Sequence, residues 1–91
     1  MYKRIANIKK DGKDFDAAIE YLNKALGTDN NEFNAQVQYE IAEALENKGD
    51  IAAAAEEYLK VQRLYSKGTF WSVKAKLKSV QLLEKPEISN K

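Results

Sequence analysis

The 91-residue sequence contains no cysteine and no histidine. Without cysteine it has no disulfide, no thiolate metal site and no thiol nucleophile, and this absence is compatible with either a reducing or an oxidising compartment. Without histidine it also lacks the most common general base and metal ligand of proteins. We therefore expect a protein that is not an enzyme and that uses no cofactor and no metal.

Breaks and long apolar runs are also scarce. One proline and four glycines interrupt the chain, so long helices are favoured. No apolar run approaches the roughly 18 to 20 residues of a membrane-spanning helix, and the first residues do not have the pattern of a signal peptide. With 44% hydrophobic and 32% charged residues, the composition predicts one small folded domain that is not inserted in a membrane.

The net charge of +1 conceals three segments of alternating sign. Residues 1–13 carry five basic and one acidic side chain, residues 14–62 carry three and eleven, and residues 63–91 carry seven and two. Solvated helix faces explain this pattern more simply than a charged partner does.

Apolar residues recur at helical spacing in five segments, which predicts an all-α fold of five helices. The segments cover about residues 1–10, 15–26, 32–48, 51–66 and 70–85. Gly49 is predicted to reverse the chain in a left-handed conformation. Residues with short polar side chains are predicted to cap the later helices, namely Asp14, Asn30 or Asn31, Asp50 and Thr69.

The fifth helix has two apolar sets. Its clearest stripe comprises Phe70, Val73, Leu77 and Val80, which we expect to face the core, and Trp71, Ala75, Leu82 and Leu83 widen it. Lys74, Lys76 and Lys78 are like charges for which the acidic fourth helix is the expected neighbour. Pro86 is predicted to end the helix and to leave residues 87–91 loose.

The chain repeats itself at a shift of 36 residues. The shift places Ala18 over Ala54 and Leu22 over Tyr58, and it carries Ile5 and Ala6 onto Ile41 and Ala42. Large positions therefore meet large ones and small positions meet small ones, so we expect the alanines to permit close helix crossings. The register of the fifth helix stays open, because a shift of 36 places Leu77 over Ile41 and a shift of 37 places Leu82 over Leu45.

These positions resemble the tetratricopeptide repeat (TPR), whose pattern is W-x2-L-G-x2-Y followed by A-x3-F and a closing proline. The first part appears as Tyr2-x2-Ile5-Ala6 and Gln38-x2-Ile41-Ala42, and the second as Ala18-x3-Leu22 and Ala54-x3-Tyr58. The closing proline is absent from both repeats. The resemblance implies an α-α superhelix with one repeat at about 1–27, a second at about 32–66, a capping or partial third-repeat helix at about 70–84 and a loose tail at 86–91.

Within that family, the segments at 39–65 and 70–85 are similar to repeats of bacterial envelope proteins, of the Tol-Pal-associated and outer-membrane-assembly lipoprotein types. That similarity implies the bacterial periplasm. The composition by itself is equally compatible with the cytoplasm.

Three other chemistries have weaker support. Glu40, Glu43 and Glu46 step along one helix, but a carboxylate acid-base pair requires desolvation that nothing here demands. The polar run at 29–32 lacks the length of a calcium loop. The aromatic and basic residues around Trp71 are typical of a small helical nucleic-acid-binding domain using the basic C-terminal helix, which is the alternative function, although core packing accounts for the same aromatics.

The TPR resemblance implies a noncatalytic scaffold or adaptor that binds a partner peptide or helix in a concave groove. A homodimer is a further expected association, because each repeat needs a neighbour to cover its apolar face. Nucleic acid is disfavoured as a partner. The groove-facing residues, expected to be polar and exposed, are Lys3, Asn7, Lys10, Asp11, Gln36, Tyr39, Glu43, Glu46 and Asn47.

Overall fold

The computed structural model describes residues 2–65 and 70–89, with side chains described at 2–65 and 70–82. These residues form five helices and include no strand, so the predicted all-α fold is confirmed. No helix in the described part is both long and apolar enough to cross a membrane. The helices are α1 (Tyr2–Asp11), α2 (Phe15–Ala25), α3 (Asn31–Lys48), α4 (Ile51–Leu64) and α5 (Phe70–Ser89).

Short polar side chains start three of the helices as predicted. The Asp14 carboxylate accepts a hydrogen bond from the Ala17 amide at 3.3 Å, and the Asn30 side chain accepts one from the Phe33 amide at 3.0 Å. Asp50 likewise caps α4. Each cap satisfies an amide that has no partner within its own helix. The predicted cap at Thr69 lies outside the described residues.

The turn between α3 and α4 depends on the backbone of Gly49. Its φ of 103° is left-handed, and its amide donates to the Leu45 carbonyl at 3.1 Å and to the Glu46 carbonyl at 3.0 Å. The following amide, of Asp50, also donates to the Leu45 carbonyl, at 2.9 Å. This arrangement satisfies the last carbonyls of α3 and turns the chain directly into α4.

Replacement of Gly49 with alanine should lower the free energy of unfolding by about 1 kcal/mol, because a Cβ atom makes positive φ costly. A Cβ atom at this position meets no atom within 4 Å, so the cost is one of backbone conformation alone. Gly12→Ala is the matched control, because Gly12 has no positive φ and its added Cβ makes only ordinary contacts. Urea unfolding followed by circular dichroism measures the free energy of unfolding of both variants. Equal losses would contradict the assignment of a left-handed turn residue at Gly49.

Consecutive helices pack against each other, and α3 also contacts α5. The alanines at the matched positions of the two helix pairs, Ala6, Ala18, Ala42 and Ala54, are all buried, as predicted. One core cluster joins α1, α2 and α3 through Ala6, Leu22 and Ile41. A second joins α3, α4 and α5 around Tyr58. The helix α3 belongs to both clusters and is the central element of the fold.

The predicted core stripe of α5 is wrong. Phe70, Val73 and Leu77 are 60%, 60% and 61% exposed, and Val80 is 42% exposed. The buried face of α5 is the opposite one, formed by Ser72, Ala75, Ser79 and Leu82, with Trp71 partly buried. Small side chains let α5 lie close to α4, so the larger apolar residues point away from the protein. Leu83 lies beyond the described side chains.

Three further expectations are corrected. The helix α5 continues through Pro86 to Ser89, so Pro86 does not end the helix as predicted. The neighbour of Lys78 is Glu46 of α3 and not an acid of α4. Ile51, predicted in the buried stripe of α4, is 42% exposed because it is the first residue of that helix. The division into repeats at 1–27 and 32–66 stays a prediction.

Candidate groove on the α1, α3 and α5 surface

The predicted binding groove corresponds to the surface that α1, α3 and α5 form, with α3 in the middle. Two ion pairs tie its edges to α3. The Lys3 Nζ atom of α1 lies 3.4 Å from the Glu40 Oε2 atom, and the Lys78 Nζ atom of α5 lies 3.2 Å from the Glu46 Oε2 atom. We call this surface, with its polar residues on α1, α3 and α5, the α3 groove.

Eight of the nine predicted groove residues retain exposed surface. Asp11 and Asn47 are exposed. The others are half-buried, since they lie where neighbouring helices meet; they are Lys3, Asn7, Lys10, Gln36, Glu43 and Glu46. Their role in binding a partner stays a prediction. The structure brings Lys3 and Glu46 into ion pairs with the α3 residue Glu40 and the α5 residue Lys78, neither of which was among the nine.

Tyr39 is the exception, and its predicted exposure is wrong. Its side chain is only 2% exposed. The ring centroid lies 5.1 Å from that of Tyr58 and 5.3 Å from that of Trp71. Tyr39 is therefore a core residue at the junction of α3, α4 and α5. Burial, followed by the nearby carboxylates of Glu43 and Glu46, raises the pKa of its phenol.

A hydrogen-bonded network fixes the α5 edge of the groove. The fully buried Tyr58 donates its hydroxyl hydrogen to the Glu46 Oε1 atom at 2.9 Å, while Lys78 holds the other oxygen of the same carboxylate. Burial is the main cause that raises the pKa of the Tyr58 phenol, and the hydrogen bond to Glu46 adds to it. Glu46 thus positions three helices and has little freedom to contact a partner.

The α1 edge is arranged differently, because Glu40 is only partly satisfied. Its Oε2 atom accepts from the Gln36 amide group at 3.2 Å and pairs with Lys3. Its Oε1 atom is buried and accepts no hydrogen bond from any residue that the structure describes. Buried carboxylate oxygens normally have a partner, but this atom is enclosed by the protein and is not accessible to a partner segment. Glu43, next along α3, makes no ion pair within residues 2–65 and 70–82.

The centre of the α3 groove is consequently acidic. The positive charges of Lys3 and Lys78 are already engaged by Glu40 and Glu46, whereas Glu43, which lies between these two glutamates on α3, has no ion-pair partner among the side chains that the structure describes. The chemistry of such a surface is the acceptance of hydrogen bonds from N–H donors and the attraction of basic side chains. No group of three or more acidic residues in the described part is placed to hold a metal ion.

Sequence reasoning missed Glu40, Lys74 and Lys78 at this surface. The spacing of Gln36 and Glu40, which is i and i+4, is a signal that could have identified Glu40 as a groove residue. The two lysines could not be placed, because the register of the fifth helix was open.

The aromatic and basic residues around Trp71 mainly contact each other. The Lys74 Nζ atom lies 5.1 Å from the Trp71 ring centroid and 5.2 Å from that of Tyr39. Trp71 is partly buried and packs against the core cluster. The ring of Trp71 is thus partly engaged within the protein, and the alternative of nucleic-acid binding stays a prediction.

Comparison with known proteins agrees with this architecture. A sequence model described as the tetratricopeptide repeat matches residues 11–77, which is most of the chain. Neither the curated proteins nor the solved structures give a significant match.

Proposed function

Because this chain belongs to the tetratricopeptide repeat family, whose members generally mediate protein–protein interaction without catalysis, we propose that it is a noncatalytic adaptor. It holds a peptide or helix of another protein in the α3 groove. The residues that contact this partner are the accessible ones of the predicted set, with Gln36, Glu43 and Asn47 at the centre on α3. Tyr39 is excluded from them by its burial.

The observation that supports this proposal best is the unbalanced acidity of α3. Glu43 has no cation partner within residues 2–65 and 70–82, and its side chain keeps exposed surface. A segment with lysine or arginine side chains would supply the missing cation. We therefore propose that the partner segment is basic.

An acidic tail or a C-terminal carboxylate fits the same surface poorly. Lys3 and Lys78, at the two edges of the groove, are each already paired with a glutamate. An incoming carboxylate would have to break one of those pairs and would approach Glu43 as a like charge.

Glu43→Lys should weaken binding of a basic probe about tenfold, which corresponds to about 1.4 kcal/mol. The reason is that the substitution replaces Glu43, which makes no ion pair within residues 2–65 and 70–82, with a charge of the same sign as that of the probe. The probe is a fluorescein-labelled helical peptide with lysine on one face, titrated by fluorescence anisotropy at 0.15 M salt. A peptide with glutamate at the same positions tests the sign of the charge.

The matched control is Glu56→Lys. Glu56 is an exposed acid of α4, which is not one of the three helices of the α3 groove, and its substitution changes the net charge equally. Binding by this variant should match the wild type. If both substitutions weaken binding to the same extent, the attraction is a general charge effect and the groove assignment is wrong. With probe peptides that carry no apolar face, and so do not fit an apolar surface, preference for the glutamate peptide would also contradict the proposal.

A further inference from the structure

The α5 stripe, defined as Phe70, Val73, Leu77 and Val80, is a row of large apolar side chains on the outer face of the last helix. Between 42% and 61% of each is exposed. They recur at i, i+3, i+7 and i+10, so they form one continuous face opposite the small residues that contact α4. Contiguous exposed apolar surface of this kind is typical of interaction sites.

Comparison of α5 with α3 shows what covers such a stripe. The buried faces of the two helices align at a shift of 38 residues, and at neither of the shifts of 36 and 37 that the sequence suggested; this shift places the buried Ser72, Ala75 and Ser79 of α5 over Asn34, Val37 and Ile41 of α3, which are also buried. The same shift places Val73, Leu77 and Val80 over Ala35, Tyr39 and Ala42. In α3 these three residues belong to a core cluster that is completed by Ala54, Ala55 and Tyr58 of α4. An α-helix is therefore the element whose shape fits the α5 stripe.

The edges of the α5 stripe are basic. Lys74 follows Val73 at one edge, and Lys76 precedes Leu77 at the other, and both are exposed. Neither makes an ion pair with a carboxylate in residues 2–65 and 70–82. Lys74 instead lies over the rings of Tyr39, Phe70 and Trp71. A second copy of α5 would bring the same lysines to these edges, so charge favours an acidic occupant over a self-contact.

We propose that the α5 stripe binds an amphipathic helix of a partner protein, one whose apolar face is flanked by glutamate or aspartate. The apolar residues of this helix pack on Val73 and Leu77, and its acids meet Lys74 and Lys76. The α5 stripe differs from the α3 groove, with which it shares only the edge residue Lys74, and the two partners differ in charge.

The test uses the full chain and two synthetic 18-residue helical peptides with the same leucine stripe, one flanked by glutamate and the other by lysine. Both peptides are compared on the Glu43→Lys variant, in which the α3 groove is weakened, and the glutamate peptide should bind at least tenfold more tightly than the lysine peptide in isothermal titration calorimetry at 0.15 M salt. Leu77→Ser should weaken this binding about tenfold, and Lys76→Glu should shift the preference towards the lysine peptide. Both residues are exposed, so thermal unfolding should not change. Glu43→Lys should leave this binding intact, which separates it from binding in the α3 groove.

Several results would overturn the proposal. Equal binding of both peptides would show that the α5 stripe has no preference for acidic partners. Binding that survives Leu77→Ser would show that the stripe is not the binding surface. A concentration-dependent dimer in sedimentation that Leu77→Ser converts to monomers would assign the stripe to a second copy. Flotation with phosphatidylserine vesicles that depends on Leu77, without binding of the glutamate peptide, would assign it to an anionic membrane surface.

Discussion

Tyr58→Ala is expected to lower the free energy of unfolding by about 3–5 kcal/mol, the range found when a large aromatic side chain is removed from a core. Tyr58 is fully buried and lies at the centre of the cluster that joins α3, α4 and α5. Its removal leaves a cavity beside Tyr39 and takes away the hydroxyl that Glu46 accepts from. A single domain of this size is only marginally stable, so a large share of the variant should be unfolded at 37 °C. Urea unfolding monitored by circular dichroism measures the change.

Tyr58→Phe is the matched control, because it keeps the ring and removes only the hydroxyl. Its cost should be about 1.5–3 kcal/mol, the range for a hydrogen bond to a charged group. The pKa of the Tyr58 phenol is raised above its ordinary value of 10.0 in the folded protein. The stabilisation is therefore complete below pH 10 and declines at higher pH, where the unfolded chain loses the proton first.

The Tyr58→Phe variant has no phenol at this position. Its stability should therefore lack the part of the decline above pH 10 that the Tyr58 phenol causes. If Tyr58→Ala lowers the free energy of unfolding no more than Tyr58→Phe does, the ring of Tyr58 does not fill the core in the way described.

Ala54→Leu is expected to destabilise the protein by about 1–3 kcal/mol through overpacking. Ala54 is fully buried in the cluster that also contains Ala42 of α3. A leucine there has to push α4 away from α3 or adopt a strained rotamer. The change in free energy is measured by urea unfolding, and a broader transition would indicate looser packing as well.

The control for this substitution lies on the same helix. Ala52 is exposed, so Ala52→Leu makes the same change in helix propensity and side-chain volume without a crossing helix. Its effect should stay within about 0.5 kcal/mol of zero, as is usual for surface sites. Equal effects at the two positions would mean that small side chains are not required where α3 and α4 cross.

The features that local sequence predicted correctly are those that depend on a few neighbouring residues. Asp14 and Asp50 cap helices because each can reach an amide three residues ahead, and Gly49 turns the chain because it alone tolerates positive φ there. The buried alanines were also predictable, since the internal repeat shows small residues at matched positions. Spacing and residue type are sufficient for all of these features.

The face of α5 that is buried against the rest of the protein was not predictable from the residues of α5 alone. Periodicity identifies the row that contains Phe70 and Leu77 as the apolar face, but it does not indicate which neighbour covers that row. In the protein, close contact with α4 selects the row of Ser72, Ala75 and Ser79 for burial, because small side chains permit a short distance between the helices. A search for small residues at i, i+3 and i+7 would have indicated this face.

The exposure of the nine predicted groove residues was predicted correctly except at Tyr39, and their role in binding stays a prediction. The helix α3 is buried along both sides, towards α2 on one side and towards α4 and α5 on the other, so only a narrow polar strip remains accessible. Tyr39 lies at the margin of this strip, where contact with Trp71 decides its burial. That contact joins residues far apart in sequence and depends on the placement of α5, which periodicity left open.

The central proposal is that the α3 groove binds a basic segment of another protein. The most direct measurement is NMR of the isotopically labelled chain during titration with the lysine-faced peptide. We predict that the amide signals that shift most belong to Gln36, Glu43 and Asn47 of α3, with smaller shifts at Lys3 and Asn7 of α1. Shifts concentrated on α2 and α4, or spread evenly over all acidic residues, would contradict the account.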